Sequence, residues 1–130
     1  MGEMMLMQIT KRAVAGVVIS GAIRDAAYIR GQNLPVFAAG VTHRGPYKNG
    51  PGEINVPVAI DGMVIAPGDL VLGDDDGVLC VPFDQIEDVF KAATAKYDAE
   101  QRQIANIQAG KHDASWVDKQ LREMKCEGVD

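Results

Sequence analysis

The stretch AGVVISGAIRDAAYIRG, residues 15–31, decides how the chain is read. Ala15–Ser20 is a short, β-branched apolar run with no polar alternation, the pattern of a strand buried on both faces. Two small residues, Gly21 and Ala22, then lead into adjacent opposite charges, Arg24 and Asp25. Asp25 stands where a helix would begin, and AAYIRG supplies one or two turns closed by Gly31. Upstream, residues 3–13 carry Met4, Met5 and Ile9 among good helix formers, with neither Gly nor Pro. Helix, strand, helix at this density predicts an α/β fold.

Working outward, LPVFAAGVT (34–42) reads as a further strand and HRGPYKNGPGE (43–53) as a long loop. INVPVAI and MVIAPG follow, joined by Asp61–Gly62, a strong short hairpin signal. GDLVLGDDDGVLCVP (68–82) repeats the device with a turn at Asp76–Gly77, so the centre is expected to be a β-meander. From Asp84, an expected N-cap, Ile86, Val89, Phe90, Ala93, Tyr97, Ile104 and Ile107 recur at helical spacing as far as Gly110, an expected stop. HDASWVDKQLREM makes a second, shorter helix with Trp116, Val117 and Leu121 on one face. The expected organisation is one domain over residues 1–130, with 84–130 as a helical C-terminal extension. A strand needing cover on both faces, in a chain already helical at its start, also suggests that the surface covering residues 1–20 lies upstream or in another subunit.

Composition narrows the function. One domain of 130 residues with 47% apolar content can bury roughly two thirds of its unfolded surface. Thirteen Lys and Arg stand against 18 Asp and Glu, with no basic cluster, which argues against a nucleic-acid partner. Cys80 and Cys126 lie far apart in no metal-ligand spacing, as expected in a reducing cytoplasm. No apolar run approaches a membrane span, and MGEMMLMQITKR lacks the basic start and cleavage site of a signal peptide.

Few residues are placed to do chemistry. Arg24–Asp25 follows the carboxyl edge of a buried strand, where α/β sheets bind ligands. An Asp there can ligate Mg²⁺, which takes one or two carboxylates and keeps several waters. An Arg aimed elsewhere can grip a carboxylate or keto oxygen bidentately. The plain alternative is that Asp25 caps a helix and Arg24 is a solvated charge. Asp74, Asp75 and Asp76 lack the ligand spacing of a calcium loop and read as a turn. His43 and His112 have no partners at zinc spacing, and Met4, Met5 and Met7 read as core or interface filling. Glu100, near Asp98 and Arg102, reads by default as part of a solvated helix face. No G-x-S-x-G, G-x-G-x-x-G or Walker loop occurs, which leaves no methyl-donor or nucleotide pocket.

GE at 2–3, RAVAGVVISGAIRD at 12–25, LPVFAAGVTHRGPYKNGPGEINVPVAIDGMVIAPGDLVLGDDDGVLCVP at 34–82 and the tail AGKHDASWVDKQL closely resemble the RraA-like family. That family includes 4-hydroxy-4-methyl-2-oxoglutarate aldolases and the regulator of ribonuclease E activity, and many members are mislabelled as dimethylmenaquinone methyltransferases. Its pattern of an acidic residue, twenty spacers and Arg-Asp matches Glu3, residues 4–23 and Arg24–Asp25. The resemblance implies a β/β/α sandwich of the swivelling-domain type with a long C-terminal helix, assembled as homotrimers or hexamers with sites between subunits.

It also implies a class II pyruvate aldolase acting on a small 2-oxo acid, with oxaloacetate decarboxylation through the same pyruvate enolate. In that reading Asp25 ligates Mg²⁺ or Mn²⁺, Arg24 holds the pyruvyl end, and Glu3 orients water at the metal. Glu100 of a neighbouring subunit joins the site. The rival implication is a protein-binding regulator of an RNA-processing nuclease with no catalytic duty, and a third is an inactive fragment or subunit. Family members usually carry a section ahead of GE, including a glycine-rich segment that helps bind substrate. The expectation is therefore a chain short at its N-terminus, holding the metal half of the site but only half of the substrate pocket.

Overall fold

A computed structural model describes residues 1–128 as an α/β protein with two compact units, Met1–Ile86 and the segment from Glu87 onward. In the first unit α1 (Glu3–Thr10) precedes β1 (Val17–Ile23), the short α2 (Ala26–Arg30) and β2 (Val36–Val41). β1 and β2 pair in parallel, Val17 opposite Val36 and Ile23 opposite Val41. Parallel neighbours need a crossover, and α2 with its flanking turns provides it. Between Ile19 and Ala22 the register shifts, because Ser20 and Gly21 together face the single residue Ala39. This bulge lies where the sequence turns to small residues, and β1 runs three residues past the predicted end of the strand at Ser20.

The core lies on one side of this pair. Leu6 is fully buried, and Ile23, Ile29 and Leu34 close around it, with Ile9, Val17, Ile19, Tyr28 and Val36 packed at the edge. Leu6 and Ile9 therefore form the inner stripe of α1, whereas Met4, Met5 and Met7 are exposed. Within this chain only Ile23 of β1 is buried. The strand's other face, through Val18, opens with Phe37, Ile60, Met63 and Val78 onto a cleft of about 830 Å³.

The central segment is two separate hairpins rather than one meander, β3 (Val58–Ile60) with β4 (Met63–Ile65), and β5 (Leu70–Asp74) with β6 (Gly77–Val81). Asp61 and Gly62 both have positive φ, 48° and 83°, the conformation of the type I′ turn their sequence predicts. In the second hairpin Asp74 faces Gly77, so the turn is centred on Asp75–Asp76, one residue earlier than expected. The Asp74 carboxylate accepts the Asp76 N–H at 2.9 Å and stabilises the turn there.

Ala66–Pro67–Gly68–Asp69 joins the hairpins. Pro67 stands at the second turn position, Gly68 has φ 98°, and the Asp69 N–H reaches the Ala66 carbonyl at 3.1 Å, as in a type II turn. The Asp69 carboxylate then accepts N–H groups from Ala66 at 2.8 Å and from Phe83 at 3.0 Å. These backbone donors hold its carboxyl below the ordinary range, and the Cys80 thiol, 3.6 Å away, is pushed up mainly by desolvation. One side chain thus ties both ends of the β5–β6 hairpin.

At the end of the first unit, the expected cap at Asp84 is corrected: Asp84 lies within a 3₁₀ turn, Phe83–Gln85, and α3 (Ile86–Gln108) begins after it. At its far end Gly110, φ 67°, closes the helix as predicted, with Gly110 N–H to Ile107 and Lys111 N–H to Asn106. The short helix is α4 (Ser115–Glu123), and Asp113 accepts the Ser115 N–H at its start.

Two outcomes test this packing. A Cβ at Gly73 would fall 2.5 Å from Phe37 Cζ, so Gly73→Ala is expected to destabilise the fold by about 1–3 kcal/mol. Phe37→Leu in the same chain should recover part of the loss in chemical denaturation. Because the Asp69 carboxyl has a lower pKa folded than unfolded, its contribution is full above about pH 4 and is lost as pH falls through the folded value. Asp69→Asn should therefore lower the melting temperature at pH 7, and the gap to the native chain should close as the pH is taken below 4.

Candidate functional site

β1 ends at Ile23, and the next two residues carry the candidate site. Arg24 is held by its backbone, whose N–H donates to the Met1 carbonyl at 2.9 Å. Asp25 has φ 59° and ψ 38°, the left-handed conformation that Asp tolerates better than most residues. It occupies the N-cap position of α2, yet its side chain makes no hydrogen bond to that helix. Instead Asp25 Oδ2 accepts the backbone N–H of Glu3 at 3.0 Å, so it caps α1 across 22 residues of sequence. A carboxylate there faces the positive end of the helix and satisfies a donor that α1 leaves unpaired.

Arg24 Nε lies 3.6 Å from the same Oδ2, with both side chains about 40% exposed. Neighbouring residues normally send their side chains apart, and the sequence reading aimed Arg24 elsewhere. The left-handed turn at Asp25 brings the two together. Both contacts fall on Oδ2, leaving Oδ1 with neither.

Asp25 therefore meets both Arg24, through its side chain, and Glu3, through that residue's backbone N–H. Glu100 lies on α3 in the second unit, where its Oε1 pairs with Lys96 Nζ at 2.9 Å. Sequence reasoning missed Gly2 as part of the site. A Cβ on Gly2 would stand 2.5 Å from Asp25 Oδ2 and 3.0 Å from Arg24 Cγ, so only glycine lets the chain pass so close to the pair. The glycine before Glu3 was visible, but its contact with residues more than twenty positions away was not.

The residues fit a hard, largely hydrated cation. One carboxylate with an oxygen outside both contacts, and a second acid at the adjoining helix start, suit Mg²⁺ or Mn²⁺, which keep much of their water. Among the described residues no three His, Cys, Asp or Glu side chains gather to hold a metal. The larger cleft, on the opposite face of β1 and β2, includes neither Arg24 nor Asp25.

Comparison with known proteins gives the family. The family model RraA-like, described as Aldolase/RraA, matches residues 1–80. The chain belongs to the RraA-like family. A protein of Halalkalibacterium halodurans named "Putative 4-hydroxy-4-methyl-2-oxoglutarate aldolase" is 41% identical over 105 residues, covering 80% of this chain and 50% of that one. The crystal structure of Streptomyces coelicolor RraAS2, described as an unusual member of the RNase ES inhibitor RraA protein family, superposes with a TM-score of 0.74 at 31% identity. It covers 81% of this chain and 54% of its own. A protein from Pseudomonas syringae pv. tomato gives a TM-score of 0.77 at 32% identity, over 84% and 55%. This RraA-like chain spans about half the length of each of these three relatives. Among the described residues, no helix is long and apolar enough to cross a membrane.

If Gly2 admits the Asp25 carboxylate to the start of α1, Gly2→Ala should displace it. The expected result is faster hydrogen exchange at the Glu3 amide, measured by NMR. Protection equal to that of the native chain would show that the carboxylate does not depend on the missing Cβ.

Proposed function

We infer that this chain carries part of a divalent-metal-dependent carbon–carbon lyase for small 2-oxo acids, of the 4-hydroxy-4-methyl-2-oxoglutarate aldolase type. The observation that carries the reading is the meeting of Asp25 with Arg24 and, across a 22-residue separation, with the backbone N–H of Glu3. The aldolase name of a relative 41% identical supports it. Asp25, with Glu3 beside it, would hold Mg²⁺ or Mn²⁺. When bound, the cation would polarise the 2-oxo group and offset the charge that develops as the carbon–carbon bond breaks.

The chain's own residues then divide the remaining work. Arg24 presents a planar, permanently charged fork that matches the carboxylate of a 2-oxo acid. Its contact with Asp25 keeps that fork at the site before substrate arrives. Glu3, an acid in the first turn of α1, would orient a water molecule or move a proton. Loss of carbon dioxide from oxaloacetate leaves the same pyruvate fragment as aldol cleavage, so one set of residues serves both reactions. We place the protein in the reducing cytoplasm, as a homotrimer or hexamer whose sites lie between subunits.

A second reading, a protein-binding regulator of an RNA-processing nuclease, draws on two observations. A solved relative is described as a member of an RNase inhibitor family, and Asp25 already has a structural task at α1. Pyruvate release from 4-hydroxy-4-methyl-2-oxoglutarate and from oxaloacetate separates the two. With Mg²⁺ the lyase releases pyruvate, and EDTA stops it. Asp25→Asn keeps the left-handed turn and the hydrogen bond to Glu3 but should abolish turnover, whereas Asp25→Ala should also cost about 1 kcal/mol as a lost helix cap. Arg24→Ala is expected to lower kcat/KM by at least tenfold. Release that survives EDTA and Asp25→Asn would overturn the site.

A further inference from the structure

β1 and β2 run parallel, so both strands release the chain at one edge, and Arg24 and Asp25 use only the end of β1. The end of β2 is tied to that place. Beyond the last register pair, Ile23 opposite Val41, the Thr42 N–H donates to the Ile23 carbonyl at 2.8 Å and continues the ladder by one step. Thr42 therefore stands beside Arg24. Its hydroxyl oxygen accepts the Arg44 N–H at 3.2 Å, the turn that a threonine makes with the second residue after it. Arg44 is thereby tethered to the carboxyl edge of the pair, where parallel sheets bind their ligands.

The two arginines differ in what they hold. Arg24 is engaged by Asp25 at 3.6 Å, whereas Arg44 is exposed and forms no ion pair among the described residues. Arg44 also opens a cationic segment: residues 43–52 carry Arg44 and Lys48 and no acid, in a chain of net charge −5. Such a segment beside Arg24 draws anions to this edge against the charge of the whole chain.

We propose that Arg44 binds the second carboxylate of a dicarboxylic 2-oxo acid while Arg24 holds the 2-oxo acid end, and that Thr42 positions Arg44 to do so. The proposal rests on the lyase reading and adds to it the residue that separates dicarboxylic from monocarboxylic substrates. A guanidinium meets a carboxylate through two parallel N–H bonds and keeps its charge wherever the substrate is ionised. A 2-oxo acid of equal length with a methyl group at its far end leaves Arg44 unfilled. The tether to Thr42 matters because a backbone already fixed loses less freedom on binding. In aldol cleavage the second carboxylate stays on the departing fragment, whereas oxaloacetate loses it as neutral carbon dioxide. A guanidinium that favours the ionised carboxylate therefore supports the first reaction and not the second.

NMR titration of the full chain in Mg²⁺ with 2-oxoglutarate and 2-oxopentanoate, acids of the same chain length, isolates the second carboxylate. The native chain should bind 2-oxoglutarate about tenfold more tightly. Arg44→Ala should remove that preference and Thr42→Val should reduce it. Thr42→Ser should keep it, and so should Arg30→Ala, which removes a cation elsewhere in the same unit. Arg24→Ala should weaken both acids together. A preference that survives Arg44→Ala, or equal binding of the two acids by the native chain, overturns the proposal and leaves the lyase reading standing. A native chain that binds neither acid overturns both. Loss of the preference in Thr42→Ser overturns the positioning role of Thr42. In turnover, Arg44→Ala should lower kcat/KM for 4-hydroxy-4-methyl-2-oxoglutarate about tenfold and leave oxaloacetate decarboxylation within about twofold. Equal losses on the two substrates overturn the assignment of Arg44.

Discussion

The hydrogen bond from the Glu3 N–H to the Asp25 carboxylate is the contact on which the first unit turns. It starts α1, and it fixes the end of β1 against that helix. The backbone pairing of Arg24 with Met1 lies alongside it, and Gly2 makes the approach possible. With α1 held in this way, Leu6 lies over Ile23 and Ile29, and the small core closes.

The same carboxylate serves several ends at once. It satisfies a helix N-terminus, holds Arg24, and leaves an oxygen outside both contacts. These demands converge because Asp25 adopts a left-handed backbone that turns two adjacent charges toward one point. Non-glycine residues in that region carry strain, and such residues cluster where structure has been shaped for binding. A rigid anchor for a cation and a rigid anchor for a helix are compatible requirements: both need the carboxylate immobile.

Much of the architecture was legible in local chemistry. Asp61–Gly62 predicts a type I′ turn because few other pairs accept positive φ at both positions, and Gly110 ends α3 for the same reason. The long helix follows from the period of its apolar residues. Errors arose where two local signals competed. Asp76–Gly77 was the more familiar turn pair, but the Asp74 carboxylate captured the Asp76 N–H and moved the turn back by one residue. Asp84 could have capped α3, but Pro82 and Phe83 opened a 3₁₀ turn ahead of it, with the Phe83 N–H drawn to Asp69.

By itself the amino-acid sequence determined the fold class, the family, the helical and hairpin segments, and the identity of Glu3, Arg24 and Asp25 as the residues to watch. These depend on φ/ψ preferences, hydrophobic period and residue spacing, which act over a few positions or are written directly in the order of residues. Only the tertiary structure decided that Asp25 caps α1 and not α2, that Arg24 folds back onto it, and that Gly2 must lack a side chain. Those facts are contacts across more than twenty residues, produced when β1 returns the chain to its own beginning, and no local preference encodes a distance between positions 2 and 25.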